Sequence, residues 1–448
     1  LGRTSDDGDL IFQLRHWLPA LIVKSAPHAN AEEIRGQADG LCVWPWDGRL
    51  VPNREKSMTL RPAANRALSM PRSAIREIMA LAAGREGVIH LEIGEPDFST
   101  PAHIVNGALA AAQDGYTKYT PNPGFPALRA QIADHVSARY GNPISADRIV
   151  VTVGAVGGLY SALMAVTDFG DEILVPDPGW PNYESIVHLA EGRSVRFDLP
   201  VEDGFLPNVD AIAKLITDRT KAIMINTPGN PTGAIMPAAT LQAIADLARQ
   251  HGLYVISDEV YEDIVFDGDH VSASQFGLDD RLFLISGASK TYAMTGWRLG
   301  YVICPEALAP VVATLQEPVA SCASSVSQKA YETALTGPQD CVSAFREIYR
   351  GRRDILLDVL GNTGLLPAVP AGAFYALVDI GAANWEAGSL AFAKRLLLEK
   401  NVAVVPGITF GPSCDHYVRV AFTTDDDSLR KGLEILRAFI EGNEKTSP

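Results

Sequence analysis

Lys290 stands in the segment SGASKTYAMTGWRLGY, residues 286–301, after an apolar run and three small residues, with Arg298 eight positions later. The small Gly287, Ala288 and Ser289 let a bulky molecule approach the backbone beside an amine that could serve as nucleophile or base. A surface lysine in a strand-to-loop turn is the plainer reading of the same residues. Asp258 follows a second apolar run in LYVISDEVY, at the place where open α/β sheets put their ligands. Acids after such a strand also suit a metal-dependent nucleotidase. That chemistry needs a G-x-x-x-x-G-K-[ST] loop, and the chain has none. Arg419 lies inside the apolar run YVRVAF, and a buried guanidinium needs an anion.

Three further segments carry weaker signals. INTPGNPTG, residues 225–233, contains a tetrapeptide that alone signals only a turn. VTVGAVGGLY, residues 151–160, reads as a strand, a small-residue turn and a helix start, where backbone N–H groups hold phosphate without any side chain. Its spacing is not G-x-G-x-x-G, so a dinucleotide is not indicated, and a helix-packing turn explains it equally well. Trp180 follows the run EILVP in VPDPGWPNYES, and a lone tryptophan is usually core.

Taken together, these segments resemble, in kind and in order, the class I pyridoxal-phosphate aminotransferases of the aspartate aminotransferase superfamily, fold type I. The resemblance implies pyridoxal 5'-phosphate as cofactor, with Lys290 forming the Schiff base and Arg298 pairing with the phosphate. It implies that Asp258 holds the ring nitrogen protonated, that Tyr261 and Asn230 meet the phenolic oxygen, and that Trp180 lies against the ring. Gly154, Ala155 and Val156 correspond to the phosphate cradle, although many relatives carry a hydroxyl where Ala155 stands. Arg419 would take the substrate's α-carboxylate, with Gly94, Trp180 and Asn230 around it. Tyr119, in KYTPNPG, would reach the phosphate of a neighbouring subunit, which makes a homodimer part of the expectation. Lys118 is the candidate second cation for an acidic side chain.

The implied reaction moves an amino group from an L-amino acid to a 2-oxo acid by a ping-pong mechanism, with Lys290, Asp258 and Tyr261 as the catalytic set. Other activities of the same cofactor and fold share nearly all these residues: C–S lyase, decarboxylase or racemase. A cofactor-sensing transcription regulator would need a DNA-binding head, and the first residues are too acidic and unpatterned for one.

The elements that must position these groups are legible in outline. From Met58 on, short β-branched runs (RIVVTV, EILVP, SVRFDL, KAIMIN, LYVIS, RLFLIS) alternate with helical patterns, among them 238–250. This predicts an α/β fold whose large domain, residues 104–339, has a mainly parallel seven-stranded sheet between helices. A small α+β domain is expected from 58–103 and 340–448, with a helix at 339–360, strands at FYALVDI, VAVVP and YVRVAF, and helices over 390–400 and up to 440. Residues 1–57 show no sustained period. They are expected to be a loose extension, with the native chain starting at Met58.

Composition excludes several classes. The chain has 448 residues, 47% hydrophobic and 20% charged, with ample material for a core. Its formal charge of −15 repels a phosphate backbone, so no nucleic-acid partner is expected. Five scattered cysteines form no C-x-x-C pair, and nine histidines show no ligand spacing, so no metal is expected and a reducing cytoplasm is the default. The uncharged stretch 149–167 is long enough for a membrane span. Its β-branched start and glycine cluster instead predict a buried strand turning into a helix, so no membrane partner is expected.

Overall fold

A computed structural model describes residues 61–71, 74–383 and 387–443. The chain divides into two compact units, Leu1–Ala64 and Asn65–Pro448, and the fold below is that of the second. The expectations for residues 1–57 and for a start at Met58 lie outside the described residues.

The strands in chain order are β1 (Ile89–His90), β2 (Ile149–Thr152), β3 (Glu172–Asp177), β4 (Arg193–Asp198), β5 (Thr220–Asn226) and β6 (Tyr254–Asp258). Then come β7 (Leu282–Gly287), β8 (Gly300–Ile303), β9 (Tyr375–Asp379), β10 (Val402–Ala403), β11 (Val405–Pro406) and β12 (Tyr417–Ala421). The main sheet has seven strands in the order β2-β8-β7-β6-β5-β3-β4. Only β8 runs against the others. The central strands are continuous apolar runs because helices cover both faces of the sheet. Ile223, Ile256 and Phe283 are fully buried, each contributing about 1.5–3 kcal/mol.

The stretch 149–167 is β2 followed by the helix Gly154–Val166, as its composition predicts. Among the described residues no helix is long and apolar enough to cross a membrane. The helix expected at 238–250 runs Ala238–His251 and ends on Gly252 with φ 68°, a left-handed cap that glycine adopts without steric cost.

A second core gathers around the antiparallel sheet β11-β12-β9. The helix Asp340–Leu360 enters it with Tyr349, Leu356, Val359 and Leu360, at positions i, i+7, i+10 and i+11 and so on one face. The helix Asp426–Asn443 closes the other side with Leu429, Leu433, Leu436 and Ile440. VAVVP, expected as one strand, is two. Val402 and Ala403 pair with β1, whereas Val405 and Pro406 pair with β12. The fully buried Val404 lies between them, where the chain passes from one partner to the other.

Candidate active site

Parallel strands deliver their C-terminal ends to one edge of the sheet, and the chemistry collects there. Asp258 is the last residue of β6, Asn226 the last of β5 and its register partner. Lys290 follows β7 in the helix Ala288–Thr291, and Gly154 follows β2. The antiparallel β8 starts at this same edge, with Gly300 opposite both Thr152 and Gly287. A Cβ on Gly300 would stand 2.4 Å from the Ala155 nitrogen, so only glycine lets the helix at 154 come this close.

A cavity of about 590 Å³ opens at this edge, within the range of small-molecule sites. Lys290, Asp258, Tyr261, Asn230, Trp180, Arg298, Arg419, Gly94, Ala155 and Val156 all line it. Gly154 stands directly behind the wall: with φ at 70°, its Cβ would meet the Arg298 guanidinium at 2.6 Å. Tyr119 and Lys118 do not line the cavity, and Tyr119 is 88% exposed.

Asp258 is 4% exposed and accepts from the Tyr183 hydroxyl at 2.7 Å and from the Val260 N–H at 3.3 Å. Burial pushes its carboxyl up to about 6, with Tyr183 opposing the rise. A cation placed against it would draw it back down and be held there. Lys290 donates from Nζ to the Gly94 carbonyl at 2.8 Å. Its ammonium lies 5.5 Å from the Phe374 ring centre and 5.8 Å from that of Tyr261. Desolvation brings its pKa down to about 8. Arg419 and Arg298 act in the same direction, and the Glu95 carboxylate opposes them.

Arg419, on β12, is 3% exposed, and burial lowers its pKa. It donates to the Asn230 side-chain oxygen at 3.1 Å and to the Glu92 carbonyl at 2.8 Å, and rests 4.3 Å above the Tyr375 ring. Its Nε is buried without a partner. A buried cation that lines a cavity and pairs with no carboxylate among the contacts above is suited to a carboxylate ligand. At the other end, Arg298 has a left-handed backbone at φ 53°, a conformation costing roughly 1–3 kcal/mol outside glycine. The helix Gly154–Val166 beside it has no side-chain cap, so its first N–H groups remain donors for an anion.

Four residues in or beside this site have tasks that the sequence segments do not mark. Tyr183 braces Asp258. Tyr375 joins its hydroxyl to that of Tyr261 at 2.9 Å and to the Gly94 carbonyl at 3.3 Å. Asn226 accepts from the Asn230 N–H at 2.8 Å and donates to the Asp258 carbonyl at 2.9 Å, tying two predicted site residues together. Asp97, whose sequence suggests turn geometry, makes a two-point ion pair with Arg352 at 2.7 and 2.8 Å, clamping the segment 91–101 to the helix Asp340–Leu360.

The model of the family described as aminotransferase class I and II matches residues 86–436. The chain belongs to this family. It is 38% identical over 383 residues to the aspartate/prephenate aminotransferase of Thermus thermophilus, covering 84% of this chain and 98% of that one. It is also 38% identical over 348 residues to an arginine–pyruvate transaminase of Pseudomonas aeruginosa, covering 77% and 88%. A solved aspartate aminotransferase from Thermus thermophilus with maleate superposes with a TM-score of 0.81 at 36% identity, over 85% of this chain and all of that one. These likenesses establish the α/β fold with its large pyridoxal-phosphate domain and small α+β domain, and an aminotransferase activity that depends on pyridoxal 5'-phosphate. None of these relatives is named as a lyase, decarboxylase, racemase or regulator.

The donor set fits that cofactor. An amine of lowered pKa suits an aldehyde, and a buried carboxylate suits a pyridinium. An uncapped helix start beside Arg298 suits a phosphate.

Proposed function

We propose that this aminotransferase exchanges an α-amino group for a keto oxygen by a ping-pong mechanism at the cavity between Lys290 and Asp258. The observation that carries the assignment is that a desolvated amine and a buried carboxylate line the same cavity, with a buried arginine beside them. Pyridoxal phosphate supplies an aldehyde for amines and a ring that accepts the electrons of a broken Cα–H bond.

In this reading the residues divide the work by charge. Arg298 and the first turn of the helix Gly154–Val166, with Gly154, Ala155 and Val156, hold the phosphate. The Asp258 carboxylate keeps the ring nitrogen protonated, and Tyr183 keeps that carboxylate in place. Tyr261 and Asn230 face the phenolic oxygen, and Trp180 supplies an aromatic wall. Arg419 binds the substrate α-carboxylate through its guanidinium, fixing which bond at Cα is aligned to break. Lys290 Nζ, neutral over a large fraction of its population near pH 8, would take up the Cα proton and hold it for return on the other side of the substrate nitrogen. Gly94 receives the Lys290 hydrogen bond when the amine is idle.

The exposure of Tyr119 supports a homodimer in which it reaches the partner's phosphate, and the free cysteines support a cytoplasmic setting. Residues 58–103 with 340–448 would form the small body and 104–339 the large one. Relatives are named for acidic and for basic donors, so their names do not choose the substrate. A panel of L-amino acids with 2-oxoglutarate or pyruvate as acceptor tests the function. The expected result is keto acid at no more than one equivalent per site without acceptor and continuous turnover with it. Continuous product without an acceptor would overturn the transferase reading.

A further inference from the structure

Asp177 ends β3 at the same sheet edge as Asn226 and Asp258 but does not line the cavity. It is 5% exposed and meets the connection between β11 and β12, residues 407–416. The Ser413 hydroxyl donates to its Oδ1 at 2.6 Å. Two residues further along, the Gly179 N–H donates to the Phe410 carbonyl at 2.8 Å. Gly411 falls between the two loop partners. A Cβ there would stand 2.0 Å from the Asp177 carboxylate, so any side chain at 411 would part the loop from the strand end.

Burial raises the Asp177 carboxyl above its ordinary value, and the Ser413 hydrogen bond and Arg196, 4.0 Å away, oppose the rise. Arg196 is mainly engaged with Glu184, at 2.5 and 2.9 Å, so the Ser413 hydroxyl is the closer support of the buried charge. The loop held in this way carries Phe410, whose ring lies 5.1 Å from the Arg419 guanidinium. Phe410 is 3% exposed and packs in a small apolar cluster with Leu377, Val405, Cys414 and Tyr417, joined by Phe205 from the stretch after β4. On the strand side of the contact, Gly179 directly precedes Trp180, which lines the cavity. The two bonds therefore tie the segment of the aromatic wall to the loop beside the carboxylate-binding arginine.

We propose that Asp177 and Ser413 form a latch that positions Arg419 for the substrate carboxylate, by holding Phe410 against its guanidinium and fixing that cation relative to Trp180. Both are positioning residues, since neither lines the cavity. The proposal rests on the aminotransferase reading, in which Arg419 takes the α-carboxylate. A two-point bond to a carboxylate depends on the orientation of the planar guanidinium, and the rings of Tyr375 and Phe410 flank that plane. Tyr375 is tied to Tyr261 and Gly94, whereas Phe410 depends on its loop. Lys290 and Asp258 stand on β7 and β6 and their continuations, outside the latched loop. Opening the latch therefore weakens substrate capture and spares the proton transfer.

The test uses holoenzyme and its Ser413→Ala, Ser413→Thr and Asp177→Asn variants, with the L-amino acid that gives the highest kcat/KM in the donor panel. Ser413 is exposed, so its substitution leaves the core intact. Ser413→Ala should raise KM for that donor about tenfold, with kcat changed by no more than about threefold. Ser413→Thr keeps the hydroxyl and should stay within about twofold of wild type. Asp177→Asn should raise KM in the same direction as Ser413→Ala. Amide hydrogen exchange of the holoenzyme should quicken at Gly179 and over 407–414 in Ser413→Ala and stay unchanged in β6. An unchanged KM, a fall in kcat without a rise in KM, unchanged exchange in the loop, or a Ser413→Thr as impaired as Ser413→Ala overturns the latch and leaves the transferase reading intact. No turnover of wild type with any donor, although the cofactor sits on Lys290, overturns both.

Discussion

The lowered pKa of Lys290 fixes how its reactivity must depend on pH. At pH 7.5 an amine titrating at about 8 is neutral in roughly a quarter of molecules, against about one in a thousand for an ordinary lysine. Apoprotein should therefore capture pyridoxal phosphate roughly 200-fold faster than an exposed lysine of equal intrinsic nucleophilicity. The rate should rise with pH and level off above about 8. The causes of the shift predict two opposite perturbations. Glu95→Gln removes a negative charge that holds the ammonium, so the midpoint moves to lower pH. Arg419→Met removes a positive charge that repels it, so the midpoint moves to higher pH. Stopped-flow absorbance after mixing apoprotein with pyridoxal phosphate, at fixed ionic strength and from about pH 6 to about pH 10.5, reads all three curves. A rate still climbing tenfold per pH unit beyond about pH 10 would refute the desolvation argument. Midpoints of the two variants moving in the same direction would refute the charge assignment.

Asp258→Asn should lower kcat by roughly 100- to 1,000-fold, since a neutral amide cannot hold a pyridinium proton. The same change should stabilise the apoprotein at pH 8. The folded-state carboxyl, at about 6, lies above its ordinary 3.8, so its favourable contribution is complete below pH 3.8 and is lost as pH rises through 6. Thermal unfolding of the apoprotein should report a gain of up to roughly 3 kcal/mol; a destabilised variant would contradict the burial argument. Ala155→Ser should slow cofactor loss about tenfold by adding a hydroxyl donor at the helix start, measured by dialysis against phosphate; an unchanged rate would place the phosphate elsewhere. Arg352→Met should cost about 2 kcal/mol, less than a fully buried pair because Asp97 is 28% exposed, and should raise KM by loosening Gly94 and its neighbours. Denaturant titration and initial rates check the two effects separately.

The groups that do chemistry were legible because each is written locally. Lys290, Asp258, Asn230 and Gly154 each follow an apolar strand within one short segment, and a parallel sheet brings such segments to one edge without further instruction. What the sequence did not disclose are partnerships across the chain. Tyr183 and Asp258 are 75 residues apart, and Arg419 and Asn230 are 189 apart. Nothing in the spacing marks Tyr183, Tyr375 or Asn226 for their tasks, because a tyrosine or asparagine near a strand end is ordinary. The antiparallel strand β8 was hidden inside the lysine motif, where Gly300 reads as a small residue rather than as the contact that admits the helix at 154.

The central claim is that Lys290 carries pyridoxal phosphate in the cavity it shares with Asp258. Borohydride reduction of the holoenzyme followed by peptide mapping should place one pyridoxyl group per chain on Lys290, and none should remain attached in Lys290→Ala. A label fixed on any other lysine, or a Lys290→Ala protein that still binds the cofactor covalently, would contradict it.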